Sequence, residues 1–358
     1  MCGIAGFVDH SPAAGQYNKY DMAAVATRMA DTLVSRGPDD SGNWVDRENG
    51  IGLAHRRLAI IDVSASGHQP MLSSDGRYVL VYNGELYNFQ ELRAELEARG
   101  QPFRGHSDSE VLLEACAAWG VEHAVERCLG MFAFGVWDRH ERKLILGRDR
   151  LGIKPLYWAH FGQVFVFGSE LKALRAHPGF EAQIDPDAVA AFMRFSYIPA
   201  PHSVYEKVYK LEPGCLLSVQ ARQAPRLHRY WDMRQIARRG AADPLDMSDE
   251  EALEQFEEGL GDAVRRHMAA DVPLTLDGMT YMQYATQYEG DPELLQADPS
   301  LAPFPLDDDY QMIRWLQENV QGTPTIIEGM SDREYRWQSR VSILTGLPTV
   351  NGWNFHQR

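Results

Sequence analysis

Cys2 opens the run Met1-Cys2-Gly3-Ile4-Ala5-Gly6-Phe7-Val8-Asp9. If Met1 is removed, a single carbon carries both a thiol and a free α-amine. An α-amine titrates near roughly 7.7–8.0, so at neutral pH a useful fraction is free to take the thiol proton. Nucleophile and base then reside in one residue. A cysteine at position 2 is also an ordinary accident of composition, and taken alone that reading is preferred. Cys116, Cys128 and Cys215 form no CxxC pair with it or with one another, so neither a disulfide framework nor a zinc site is expected. Cys116 and Cys128 lie in apolar or helical surroundings and read as core residues.

Strands must position any such nucleophile, because strand-like runs dominate the first two hundred residues. Residues 4–8, 51–55, 58–62, 78–82, 131–137, 143–147 and 164–169 read as strands separated by turns. The 78–82 run leads into Asn83-Gly84, a turn dipeptide. Helical periodicity is predicted over 88–99 and 109–120, where Val111, Leu112, Ala115 and Trp119 share a face. Many strands with a few interspersed helices indicate an α+β layered domain rather than a parallel βαβ sheet. Residues 212–247 are richer in Pro, Arg and Gly and read as a connection. Ser248-Asp249-Glu250-Glu251 is a capping-box pattern opening a helix to about Met268, with Leu253, Phe256, Leu260 and Val264 as its apolar stripe. Beyond it, 271–274 begins like a strand, 275–300 is loop-like and acidic, 307–320 is helical and 323–328 is a strand.

The 358 residues are 44% hydrophobic and 24% charged, which suits a globular chain of roughly two domains at about 150 residues each. No run of about 18 apolar residues occurs, so no membrane span is expected. The N-terminus has no basic region and meets a charge too early for a signal peptide, and the chain reads as cytoplasmic. The net charge of −15 is unevenly placed. Residues 1–240 hold 28 acids and 28 bases, residues 241–358 hold 22 acids and 7 bases, and all six lysines lie at or before Lys210. Such a break suggests that the chain is not one homogeneous fold. The acidic part also argues against a nucleic-acid partner, since phosphate binding needs Lys and Arg.

Cys2-Gly3-Ile4 is followed in order by Arg36-Gly37-Pro38-Asp39, His55-Arg56-Arg57-Leu58-Ala59-Ile60-Ile61-Asp62, Gly67-His68-Gln69-Pro70-Met71 and Asn83-Gly84-Glu85-Leu86-Tyr87-Asn88. His106-Ser107-Asp108-Ser109-Glu110, Gly130-Met131-Phe132-Ala133-Phe134 and the run from Gly147 through Arg148-Asp149-Arg150-Leu151-Gly152-Ile153-Lys154-Pro155 to Tyr157 complete the series. Together these motifs resemble the glutaminase domain of glutamine-dependent asparagine synthetases, a class II (N-terminal nucleophile) amidotransferase domain. The likeness covers residues 1–274. The 55–62 and 68–71 segments favour the asparagine synthetase branch over the purine and aminosugar branches.

The resemblance implies a four-layer αββα N-terminal-nucleophile hydrolase sandwich over residues 1–211. Residues 212–274 would be a connector helix and the truncated start of a synthetase domain. Residues 275–358 would be an unrelated acidic tail, a small irregular α/β unit. By the same resemblance, Cys2 attacks the side-chain amide of glutamine, and the N-terminal amine passes the proton to departing ammonia. The Asn83 side-chain amide and the Gly84 N–H would form an oxyanion hole. Arg57 would clamp the substrate α-carboxylate, Glu85 and Asp108 would receive its α-ammonium, and the Ile60 and Ile61 backbone would line the site. No metal or cofactor is implied for this step. Outside the motif, Glu85 and Asp108 would read as solvated surface charges. Arg36-Gly37-Pro38-Asp39 fits a tight turn and a site-lining loop about equally. Asp149 and Arg150 read as a structural ion pair and loop scaffold, and His55 and His106 as hydrogen-bonded structural residues.

In the family, a strand reading Asp-Val-Pro runs into a Ser-Gly-Gly-x-Asp-Ser loop that holds ATP pyrophosphate through backbone N–H groups. Here Asp271-Val272-Pro273-Leu274 continues as Thr275-Leu276-Asp277-Gly278-Met279. The expectation is that the ATP-dependent ligase half, with its Mg-ATP, is not encoded. Ammonia would then be released or handed to a partner subunit. Residues 275–358, on Tyr335-Arg336-Trp337-Gln338-Ser339-Arg340-Val341-Ser342 among others, resemble a soluble tail segment of bacterial multi-pass membrane proteins, which implies no chemistry. Two other readings stay open: a non-catalytic binding or regulatory module, and a recombined chimera with neither parent function intact.

Overall fold

Side chains in β1 (Gly3–Asp9) alternate between two buried surfaces, with Ile4 and Val8 in one apolar cluster and Ala5 and Phe7 in another. A strand buried on both faces has to lie inside a layered stack. The computed structural model describes residues 1–10, 21–221, 223–267, 326–328 and 349–351 of the 358. Two units divide the chain, Met1–Asp271 and Val272–Arg358.

After β1 the first unit continues through α1 (Met22–Asp31), β2 (Asp40–Asp46), β3 (Ile51–Arg57), β4 (Met71–Leu72), β5 (Tyr78–Leu86), α2 (Phe89–Ala98), α3 (Asp108–Trp119) and α4 (Val121–Arg127). It goes on through β6 (Gly130–Asp138), β7 (Lys143–Arg148), β8 (Tyr157–Phe161), β9 (Val164–Gly168), α5 (Leu171–Arg175), α6 (Pro186–Phe195), β10 (Val208–Lys210), β11 (Cys215–Gln220), β12 (Arg226–Arg229), α7 (Met233–Ala242) and α8 (Asp249–His267). In the second unit β13 (Ile326–Glu328), inside the strand predicted over 323–328, pairs in parallel with β14 (Thr349–Asn351).

The strands of the first unit form two antiparallel sheets, ordered β10-β8-β9-β1-β3-β2 and β12-β11-β7-β6-β5-β4. Their inner faces share one core, to which the first sheet gives Ile4, Leu53, Phe165 and Phe167 and the second gives Val79, Val81, Trp137 and Leu146. Outside the first sheet, α1 and α5 cover Ala5 and Phe7 with Val25, Met29 and Leu174. Outside the second, α2, α3 and α4 cover Leu80 and Phe134 with Leu96, Leu112 and Val125. The stack is therefore αββα, as the resemblance implies. Each fully buried Phe or Leu contributes about 1.5–3 kcal/mol, so these three clusters hold both sheets in register. Helix ends follow local chemistry: the Asp21 carboxylate accepts from Ala23 N–H ahead of α1, and Ser107 Oγ accepts from Glu110 N–H ahead of α3.

Three local expectations need correction. Residues 58–62 form no strand; the segment turns off β3 as an irregular loop in which Asp62 takes a left-handed φ of 52°. Asn83-Gly84 is no turn, because both residues stay in the β5 ladder opposite Ala133 and Phe132. The 212–247 connection contributes β11 and β12 to the second sheet, with Leu216, Leu217 and Val219 buried, and then forms α7. The predicted helix to about Met268 is present as α8, and its stripe of Leu253, Phe256, Leu260 and Val264 is exposed. The strand expected at 271–274 and the helix at 307–320 lie outside the described residues. So does the tail likeness over 275–358, apart from β13 and β14.

Candidate active site

Cys2 immediately precedes β1, and the β1–β3 ladder pairs Gly3 with Arg56. That register sets the thiol against the chain just past β3. Cys2 Sγ lies 3.5 Å from the Leu58 carbonyl and accepts from Leu58 N–H at 3.4 Å. Burial pushes the thiol up, while the Leu58 N–H and the N-terminal amine act the other way. Burial pushes the N-terminal ammonium down; Arg36 and Lys154 add to this, and Cys2 and Glu85 oppose it. That ammonium is Met1's; removal of Met1 would place the free α-amine on Cys2 itself, in the same setting.

The Arg36-Gly37-Pro38-Asp39 motif does more than turn the chain. Arg36 donates Nε to the Cys2 carbonyl at 2.9 Å and Nη1 to Glu170 at 3.0 Å. The Asp39 carboxylate accepts from Ala59 N–H at 2.8 Å, which holds the loop after β3. A Cβ on Gly37 would lie 2.4 Å from the Arg56 carbonyl, so only glycine fits there.

β5 brings in Asn83, Gly84 and Glu85 from the second sheet. Asn83 is buried, and its Nδ2 has no hydrogen-bond partner among the described residues. Such an orphan donor is uncommon and costly unless a ligand oxygen fills it. Gly84 sits so close to β6 that a Cβ would fall 2.5 Å from the Met131 carbonyl oxygen.

Arg57, the last residue of β3, is turned into the site by the loop that follows. Its Nη1 donates to the Ser64 carbonyl at 2.8 Å and its Nη2 to the Asp62 carbonyl. Asp108 heads α3 and accepts from the Tyr82 hydroxyl at 2.9 Å, from Leu86 N–H at 3.0 Å and from Ser109 N–H at 2.9 Å. Burial raises its carboxyl to about 6 against those three hydrogen bonds, and Glu85 adds to the rise. Burial also raises Glu85, opposed by Lys154 and His267.

All eight residues singled out from the sequence, Cys2, Arg57, Ile60, Ile61, Asn83, Gly84, Glu85 and Asp108, line one pocket. The pocket is lined by a guanidinium and by two carboxyls that burial pushes up. That pattern is complementary to a zwitterionic amino acid. Residues 1–231 match the family described as the glutamine amidotransferase domain.

The chain belongs to this family.

The amidotransferase chain is 36% identical over 277 residues to the glutamine-hydrolyzing asparagine synthetase 3 of Bacillus subtilis, covering 76% of this chain and 42% of that protein. It is 37% identical over 285 residues to a putative glutamine-hydrolyzing asparagine synthetase of Mycobacterium tuberculosis, covering 76% and 43%. It therefore spans about two fifths of the length of these curated relatives. A solved glutamine phosphoribosylpyrophosphate amidotransferase from B. subtilis aligns over 65% of this chain and 50% of its own, at 19% identity and a TM-score of 0.47. No helix among the described residues is long and apolar enough to cross a membrane.

Sequence reasoning missed Lys154, Tyr82 and Gln69 in the amidotransferase pocket. Each adjoins or lies in a motif already noted, so motif membership was the available signal. Lys154 is buried and its ammonium is pushed down by burial, against Glu85 and Cys2. Asp149 is the loop scaffold expected, but no ion pair with Arg150 is found among the described residues, and Arg150 Nη2 donates instead to the Glu126 carbonyl at 3.0 Å. The Asp149 carboxylate accepts from the N–H groups of Leu151, Ile153, Lys154 and Phe132 at 2.9–3.2 Å, and so fixes the Lys154 loop. His55 donates Nε2 to the Tyr82 carbonyl at 3.0 Å, bridging β3 and β5, and burial lowers it to about 4. It stays neutral and structural, as expected. His106 serves through its backbone N–H, which donates to Asp62 at 2.9 Å. Cys116 and Cys128 are buried in the core under α3 and α4. Among the described residues no group of three or more His, Cys, Asp or Glu is placed to hold a metal ion.

Proposed function

We propose that this chain hydrolyses glutamine to glutamate and ammonia, with Cys2 as nucleophile once Met1 is removed. The observation that carries this reading is the unpartnered Asn83 amide in the same pocket as the Cys2 thiol, Arg57 and Asp108. Arg57 holds the α-carboxylate of glutamine, and Glu85 with Asp108 receives its α-ammonium. The Cys2 sulfur attacks the side-chain carbonyl carbon while the α-amine takes the thiol proton. The resulting oxyanion accepts from Asn83 Nδ2 and the Gly84 N–H, donors that need no reorganisation as charge develops. Collapse breaks the C–N bond, the α-ammonium protonates the leaving nitrogen, and a thioester remains. Water, deprotonated by the same amine, hydrolyses the thioester to glutamate.

A thiol beside the Asn83 amide donor favours an enzyme over a passive binding module, since binding alone needs no nucleophile. No cofactor is needed for these steps. We assign the use of ammonia, and any Mg-ATP it requires, to an ammonia-accepting partner subunit. Four free thiols suit the reducing cytoplasm, where we place this chemistry.

The test is direct. Intact-mass analysis reports whether Met1 is absent, and glutamate release from glutamine is measured for the parent and for Cys2→Ala. Release by the parent and none by the variant is the expected result. Absence of Cys2-dependent release overturns the reading. Asparagine formed from aspartate and Mg-ATP by the chain alone would overturn the assignment of ligation to a partner.

A further inference from the structure

The two groups proposed to grip the substrate backbone sit on unconnected elements, Arg57 at the end of β3 and Asp108 at the start of α3. Asp62 touches both supports. Its carbonyl accepts from Arg57 Nη2, and its carboxylate accepts from Ser64 N–H at 3.1 Å and from the Ser64 hydroxyl. Ser64 in turn presents the second carbonyl that holds Arg57. The other carboxylate oxygen accepts from His106 N–H at 2.9 Å, two residues before Asp108. The packing leaves no slack: a Cβ on Gly105 would lie 2.3 Å from that oxygen. Asp62 is fully buried and holds a left-handed backbone, a conformation that persists in a non-glycine residue only where its surroundings fix it.

We infer that Asp62 is a positioning residue that sets the separation between the Arg57 guanidinium and the Asp108 carboxylate, making the pocket selective for a free α-amino acid. The inference rests on the proposed binding of glutamine. A glutamine inside a peptide satisfies neither anchor, one without its α-amine satisfies a single anchor, and neither gains from the fixed distance. Cys2 is held at the near end of that loop by Leu58, and by Arg36 from outside it, so the effect of Asp62 is expected on binding rather than on the nucleophile.

The experiment compares the full-length parent with Asp62→Asn, which puts an N–H2 where one of the two carboxylate oxygens accepts. The half-saturating glutamine concentration is expected to rise about 10-fold or more, with kcat within about threefold. Alkylation of Cys2 by iodoacetamide, read on the N-terminal peptide, should proceed at the parental rate without glutamine. The glutamine concentration that protects Cys2 from alkylation should rise in parallel with KM. Protection needs no turnover, so it separates the two readings. A parent that glutamine protects but that releases no glutamate overturns hydrolysis and still reports on Asp62. A parent with neither property overturns both. An unchanged protecting concentration, or alkylation slowed along with turnover, overturns the role of Asp62. Should Asp62→Asn not fold, Gly105→Ala pushes directly on the same oxygen. It is expected to raise the protecting concentration, and no rise overturns the inference.

Discussion

Replacing Asn83 by alanine separates catalysis from stability in opposite directions. The Asn83 Nδ2 makes no hydrogen bond to the described residues, so truncation breaks none at that atom. Leaving a buried donor unsatisfied costs about 1–3 kcal/mol, and the variant is relieved of that cost. Part of the relief is offset by the contacts a small buried side chain makes. The urea midpoint of Asn83→Ala is therefore expected to equal or exceed that of the parent. The rate should move the other way. Losing a side-chain donor to a developing oxyanion costs roughly 2.7–4 kcal/mol, or about 10²–10³ in kcat. The oxyanion exists in the transition state and not in bound glutamine, so KM should stay within a few-fold. Single-turnover formation of the thioester, followed by rapid quench and mass analysis, reads the affected step directly. A kcat within fivefold of the parent would refute the reasoning. So would a loss of several kcal/mol in stability, since that would mean the amide was already partnered in the folded protein.

The remaining predictions concern the neighbours of Asn83. With its carboxyl at about 6, chiefly through burial, Asp108 should protonate and stop receiving the substrate ammonium on acidification, so kcat/KM falls below about pH 6. Tyr82→Phe removes a donor to the ionised form and should move this acid limb to higher pH; a pH–rate profile with an unmoved limb counts against the contact. The stability sign follows from the same shift. The folded carboxyl titrates above its ordinary 3.8, so the contribution of Asp108 to stability is fully present below that value and is lost as pH rises through about 6. Gly84→Ala keeps the backbone N–H but sets a Cβ 2.5 Å from the Met131 carbonyl oxygen and 2.6 Å from Phe132 Cβ. The β5–β6 pair must part, at a cost of about 1–3 kcal/mol in urea unfolding together with a loss of kcat, and an unchanged midpoint would contradict the packing.

Strands whose faces both meet apolar layers were legible because their sequences are continuously apolar, as in Tyr78 to Tyr82 and Phe165 to Phe167. The same signal misled at 58–62, where Leu-Ala-Ile-Ile looks like strand but Asp62 bends the chain and bonds to Ser64 and His106. β11 was hidden by flanking Pro213, Gly214 and a polar run, although Leu216, Leu217 and Val219 are buried. α1 carried its own cap at Asp21 and an apolar face of Met22, Val25, Ala26 and Met29, and was overlooked among the strands. All eight site residues taken from motifs meet at one pocket. What could not be read is how distant loops support one another. Asp62 holding His106, and Arg36 holding Cys2, are contacts between segments whose proximity only the folded sheets create.

The position of Cys2, one residue before β1, has a consequence for how the Met1–Cys2 bond is cut. The Met1–Cys2 bond abuts a strand whose partners are β3 and β9, and Cys2 itself is tied down by Arg36, which leans on Glu170. An aminopeptidase needs a loose, extended end to grip. At about 5–20 residues per second, the ribosome delivers Glu170 roughly 10–30 s after Cys2. Trimming of the nascent chain has that interval before the last partner of β1 arrives. Maturation and folding thus compete for the same few residues, and the order in which the two sheets are translated sets the interval in which the α-amine of Cys2 can be released.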